Sequence, residues 1–278
     1  MLGELARVHA WRYARHPLFL IGFAIAMGYT VWDIVDDPNL DPNRDGGLHF
    51  YAAFLIGVLG LIVAYRLTRT ADRSLALLPS TPTSPTTRTL ALCMSCLVPA
   101  SAGTVILVVA VAGWQIGEPT YLQAWSETMG PANLVAWAVA TNVVACLGAP
   151  LLGVAVGRWW RFPGAGVVAA ILLVATSTVL NFLVQGQVAD PPLAGMIAGL
   201  MSPWFIWLET QPSMGPTSDP VGTASAVGHL VYLIGLCGLA MWAAVIKGAE
   251  GEERRIWLRR GIISLAVALS GLVWAVVG

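Results

Sequence analysis

Arg73-Ser-Leu-Ala-Leu-Leu-Pro-Ser-Thr-Pro-Thr-Ser-Pro-Thr-Thr-Arg88 is a short polar segment, punctuated by three prolines and carrying an arginine at each end. Long apolar runs flank it, at about residues 50–65 and 89–113. Such a segment is either a surface loop of a soluble domain or a connection between two membrane spans. Composition decides. Of the 278 residues 57% are hydrophobic and 11% charged, and the mean hydropathy is +0.73, whereas a soluble domain carries about 25% charged residues. Runs near the ~20 apolar residues that cross a bilayer recur along the chain, which predicts an all-α polytopic membrane protein forming one transmembrane domain.

Seven runs are candidate spans, at about 17–32, 50–65, 89–113, 133–157, 164–185, 223–246 and 261–278. Backbone groups in hydrocarbon need internal partners, so runs of this length are expected to be helical. With the N-terminus in the cytoplasm, fourteen of the fifteen Lys and Arg residues fall inside and only Arg44 outside, a strong positive-inside asymmetry. The C-terminus is then expected outside. Fourteen of these basic residues are Arg and only Lys247 is Lys, a skew associated with GC-rich bacterial genomes and so with a bacterial plasma membrane.

Residues 191–210 are apolar enough to suggest a further span, but Pro191, Pro192 and Pro203 interrupt them. An eighth crossing would also move the basic segment KGAEGEERRIWLRR outside, so a re-entrant hairpin on the outer face is expected. Residues 2–15 read as an interfacial helix, with Glu4, Arg7, Arg12 and Arg15 on one arc and Leu2, Leu5, Ala6 and Tyr13 opposite. Trp11 sits among the charges. This helix either anchors the first span or touches a cytoplasmic partner.

None of the seven runs contains Asp, Glu, Lys or Arg. Ion-coupled carriers and proton pumps keep such groups inside the bundle, and membrane enzymes that use acid–base chemistry cluster carboxylates or histidines. A phosphate loop of the form G-x-x-x-x-G-K-[ST] is absent. The zero net charge gives no sign of a nucleic-acid partner.

The remaining motifs have bland readings beside sharp ones. Cys93-x-x-Cys96 reads as core packing rather than a metal or redox centre, with no other thiol or imidazole near in sequence. Asp41-Pro-Asn-Arg-Asp45-Gly46 matches the front half of a calcium loop, but Ala52 stands at its twelfth position where the bidentate acid belongs. A solvated turn is the expectation there, and no metal site is assigned. Gly153-x-x-x-Gly157 invites a close helix, from this chain or from a second subunit. Asn142, Thr176, Thr178, Asn181 and His229 are polar groups within the runs. They either bond across helices or line a path for an amphipathic solute.

The chain resembles the permease subunits of ABC exporters of the ABC-2 type, as found in actinobacteria. The resemblance rests on ELARVHAWRYARHPLFLIGF at the N-terminus, on RTADRSLALLPSTPTSPTTRTLAL, and on the outer segment preceding GHLVYLIGLCGLAMWAA. It covers nearly the whole chain and carries no catalytic signature. It implies a connecting helix before the first span and outer re-entrant helices between the fifth and sixth. It also implies a cytoplasmic coupling element within residues 66–88, at Thr70 to Leu78, held as a separate short helix by Pro79, Pro82 and Pro85. Asp72, Arg73, Ser74, Leu77 and Leu78 would contact an ATPase. Two permeases, identical or related, would pair with two ATPase subunits that bind the ATP and Mg. This chain would then be a transporter subunit rather than an enzyme, would hold no cofactor of its own, and would move a lipid, drug or natural product outward. The family has six spans, so 261–278 would be an addition. Two alternatives stand beside this one: a lipid-modifying membrane enzyme using outer residues such as Asp45 and His49, and a non-transporting scaffold or immunity protein.

Overall fold

A computed structural model describes residues 2–36, 51–77, 83–117, 130–185 and 225–277. Among these, all regular structure is helical. Helix α1 is Leu2–Ala14 and α2 is Pro17–Asp36. Helix α3 opens as a wide π-helical stretch, Ala52–Val58, and continues as Leu59–Leu77. Pro85–Ser95 forms α4 and Leu97–Gly117 forms α5. Helix α6 runs through Pro131–Val139, the π-helical Ala140–Val144 and Ala145–Trp159. Helices α7 (Ala165–Gln185), α8 (Ala226–Ile246) and α9 (Gly251–Val277) complete the described chain.

By length and composition, five helical stretches could cross a membrane, six when the bent pair α1–α2 is counted as one. This fits a multi-pass membrane protein. The expected run at 164–185 is helical too, although its described apolar part, Ala165–Leu180, is shorter than the others. The helices at 89–113 and 261–278 begin earlier than expected. Ser84 caps α4 by accepting from the Thr87 amide at 3.2 Å, with Pro85 at the first helical position, where its missing N–H is harmless. Pro99 cannot donate to the Ser95 carbonyl, and the helix breaks between α4 and α5 at Cys96.

Helix α6 is the axis of the bundle: 78% of its span is buried inside the chain, against 22% for α9. Small residues let its neighbours come close. A Cβ on Gly153 would collide with the Leu61 carbonyl of α3, and one on Gly157 would lie 2.8 Å from Thr68 Cβ. The G-x-x-x-G pair therefore packs within the chain. Gly103 of α5 lies against the Asn142 carbonyl in the same manner. Two side chains donate to carbonyls in or beside the wide turn of α3: the Tyr13 hydroxyl to Gly60 O at 3.0 Å, and the Cys146 thiol to Ala52 O at 3.2 Å.

Helices α8 and α9 form an antiparallel hairpin through a seam of small residues. Gly228 meets Ala275, Gly235 meets Ala268, and Gly271 meets Tyr232. Spacings of seven place these contacts on one stripe of each helix. The opposite face of α9, including Ile262, Leu269, Val273 and Val277, is exposed. The seventh run is thus a peripheral helix riding on α8, and its charged head from Gly251 onward is helical as well.

The calcium-like loop at 41–46, His49, the hairpin at 191–210, Leu78, Pro79 and Pro82 lie outside the described residues.

Substituting Gly153→Val forces a branched side chain against the Leu61 backbone and should cost about 1–3 kcal/mol by overpacking. A thermal melt in detergent should show a lowered transition for that variant and none for Gly3→Ala, where an added Cβ meets nothing within 4 Å.

Candidate functional site: the arginine-rich end of the bundle

Among the described residues, charged groups that flank the apolar runs converge in space. The last turns of α3, the first turn of α4 and the last turn of α6 meet at one end. Arg158 joins them: one guanidinium nitrogen donates to Asp72 Oδ1 at 2.7 Å and the other to Thr89 Oγ1 at 2.6 Å. The side chains are only 14% exposed for Arg158 and 29% for Asp72, so solvent screens the pair weakly. Trp159 carries the connection on to α8, donating from its indole nitrogen to Ala243 O at 2.7 Å with Lys247 above its ring. From α3, Tyr65 donates to Phe162 O at 2.9 Å and Arg69 to Arg161 O at 3.2 Å, fixing the turn that leads into α7.

This geometry changes the reading of residues 66–88. Helix α3 runs without a break to Leu77, so Thr70–Leu77 is the end of the second-span helix and not a separate short one. The physical reason is in the sequence: Ala71 to Leu78 contains no helix breaker, and the first proline is Pro79. Asp72 accepts from Arg158 inside the chain, whereas Arg73 is exposed. The side chains of Ser74 and Leu77 lie outside the described ones. Arg88 donates to Thr83 Oγ1 at 2.6 Å, next to the cap of α4.

Helix α1 belongs to the same end. It lies at 62° to α2 and packs on α4, with Ala6, His9 and Tyr13 buried. Arg7 forms an exposed pair with Glu4 at 3.0 Å, and Arg15 stacks over the Trp11 ring at 4.0 Å. Trp11 and Arg12 are exposed, and Arg7, Trp11 and Arg12 border an apolar groove that Val98 of α5 helps to line.

The residues considered as a solute path lie on three helices, α6, α7 and α8. Asn142 is buried in the π-helical turn of α6, donating to Ala138 O and Thr141 Oγ1 at 3.1 Å each. His229 is 1% exposed, with its ring edge-on to Tyr232 and neither nitrogen paired among the described residues. Thr176 lies on the outward face of α7, Thr178 is half-buried, and the Asn181 side chain is outside the described ones. Among the described residues no three His, Cys, Asp or Glu side chains are placed to hold a metal ion. Cys93, Cys96, Cys146 and Cys237 are all buried thiols.

Arg158 and Thr89 were not singled out from sequence. The available signal is Asp72, the only acid between the second and third runs, which had to find a cation somewhere. No protein-family model, curated protein or solved structure matches this chain.

Removing either partner should destabilise the fold, because the other is left in a site with little water. In a double-mutant cycle with Asp72→Asn and Arg158→Gln, the pair should lose less than the sum of the single losses. The expected coupling is about 1–3 kcal/mol, read from melting curves in detergent.

Two histidines add a pH dependence. His9 is held below its ordinary value near 6.5 first by burial and then by Arg12; His16 is lowered by burial and then by Arg66. The Leu18 amide donates to His16 Nδ1 at 3.3 Å, a contact that needs the neutral ring. Because the folded values are lowered, the unfolded chain binds more protons as pH falls through this range. Their contribution to stability is complete above about pH 6.5 and is lost as pH drops toward the folded values. The melting temperature should fall between about pH 7.5 and about pH 5.5, and His9→Leu should reduce that fall.

Proposed function

We propose that this chain is the membrane-spanning subunit of an ATP-driven exporter, powered by a separate ATPase that docks at the arginine-rich end of the bundle. The observation that carries the reading is the shared location of α1 and the end of α3. Helix α1 turns by 62° from α2 and rests on α4, while α4 is joined to the end of α3 through Arg158 and Thr89. The two elements that the family resemblance assigns to the ATPase therefore flank one surface.

The linkage favours mechanical coupling. A force applied at Arg73 is transmitted along an unbroken α3 and, through Asp72 and Arg158, to α4 and α6. Charge-free spans suit an apolar or amphipathic cargo, because the described transmembrane lining offers buried amides and hydroxyls but no ion pair. A second permease, identical or related, would complete the path, and the exposed face of α7 that carries Thr176 is one surface it could cover. The membrane would be bacterial and the arginine-rich end cytoplasmic, as the positive-inside rule has it.

Affinity purification of the chain from its native membranes should bring down an ATPase subunit in stoichiometric amount. Arg73→Glu, which leaves the Asp72–Arg158 pair intact, should remove that subunit while the melting curve stays unchanged. A well-folded chain that brings down no ATPase at any salt concentration would sink the exporter reading.

A further inference from the structure

A cavity of about 480 Å³ opens at the arginine-rich end between the last turns of α3 and the turn into α7. Its lining includes His16, Arg66, Arg69, Thr70, Arg73 and Arg161 and contains no carboxylate. The concentration of charge is pronounced for a chain of zero net charge. Asp72, the acid nearest in sequence, is engaged by Arg158, and the other ion pair among the described residues is Arg7–Glu4 on α1. The guanidinium groups of Arg66, Arg73 and Arg161 have no hydrogen-bond or ion-pair partner among the described residues. Arg69 is oriented by its bond to the Arg161 carbonyl.

Guanidinium groups gathered in one concavity repel one another unless an anion lies between them. A phosphate matches them well: its oxygens accept the paired N–H groups of several arginines at once. Two further features point the same way. The Pro163–Gly164 turn, with Gly164 at φ 88, opens the 21-residue α7 beside the cavity, so the positive end of that helix dipole adds to the field. Trp159, Trp160 and Phe162 stand half-exposed in the same region, the last two stacked at 6.0 Å. Amphipathic rings of this kind mark the headgroup level of a bilayer.

We propose that this cavity binds a phosphate-bearing anion, supplied by the headgroup of an anionic phospholipid at the membrane surface. Basic pockets between spans recognise such headgroups by charge and by phosphate geometry. The inference does not depend on the exporter reading. It requires only that the chain sits in a membrane.

The full chain, purified in neutral detergent, is titrated in parallel with phosphatidylglycerol, phosphatidylcholine and inorganic phosphate. Binding is followed by native mass spectrometry and thermal shift. Phosphatidylglycerol should be retained in preference to phosphatidylcholine. Arg66→Gln combined with Arg161→Gln should weaken phosphatidylglycerol binding by about thirtyfold, the combined effect of two interfacial cations. Neither side chain has an internal bond to lose, and melting curves verify the fold. Arg254→Gln combined with Arg255→Gln removes the same charge from the exposed head of α9 and should leave binding unchanged. Arg66→Lys with Arg161→Lys should bind at an intermediate level, because charge remains but the planar fork is gone. Inorganic phosphate bound as tightly as the lipid would support a phosphate site and overturn the lipid as its source. Equal loss in both glutamine variants, or no loss in either, would overturn the site itself.

Discussion

In hydrocarbon, side chains gain nothing by leaving the solvent, so helices hold together only as far as they can approach and interlock. That constraint explains the distribution of glycine. Gly153 and Gly157 bring α6 onto α3, Gly103 brings α5 onto α6, and Gly228 and Gly235 bring α8 onto α9. Where backbones touch this closely, dispersion contacts and local hydrogen bonds replace the hydrophobic drive of a soluble core. The wide turns in α3 and α6 sit at the same contacts: Gly57 lies 3.2 Å, by its would-be Cβ, from the Ala145 carbonyl. Donors from other elements, Tyr13 and Cys146, reach the carbonyls there. A helix in lipid can widen only where the protein itself supplies partners.

Charge follows a complementary pattern. The interior is held by small residues and local hydroxyl or amide bonds, and among the described residues the ion pairs lie at one end. There the single acid between the second and third runs works as a joint rather than as a surface feature. Arg158 reaches it at 2.7 Å from a helix 86 positions further along and reaches Thr89 of α4 as well. Three helix ends are thereby fixed to each other. Because Asp72 is engaged in this way, it does not pair with the neighbouring arginines that line the cavity.

The helical runs and the basic side of the molecule were legible in the sequence, because both depend on composition over long windows. The start of α4 was expected at 89 and lies at Pro85, although the local signal is there: Ser84-Pro85 is a serine cap followed by a proline at the first helical position. The ends of α3 and the start of α9 were harder to place. Hydropathy sees where a helix leaves the apolar layer and not where it stops, and both TADRSLAL and GEERRIWLRR consist largely of good helix formers. Dividing the first of these into a separate element was an expectation from family resemblance. The chain itself holds no breaker before Pro79. The Arg158 joint was beyond sequence reasoning because its partners are separated by 86 and 69 positions. The pocket of arginines was hidden for the same reason: Arg161 meets Arg66 and Arg69 only after α6 has packed along α3.

These features together determine how motion at one end can reach the rest of the molecule. Helix α3 spans 52–77 without interruption, about 40 Å at the usual helical rise. A short helix on a flexible tether would absorb a push at its tip, but a continuous helix passes it on. The push reaches α6 through close glycine contacts, where sliding is sterically blocked, and reaches α4 through Arg158, where it is ionically tied. Helix α1 is tied to the same helix by the Tyr13 bond to Gly60, in the first half of α3. Arg73 at the tip is thus linked through α3 to α1, α4 and α6, whereas α9 packs mainly on α8 among the described residues.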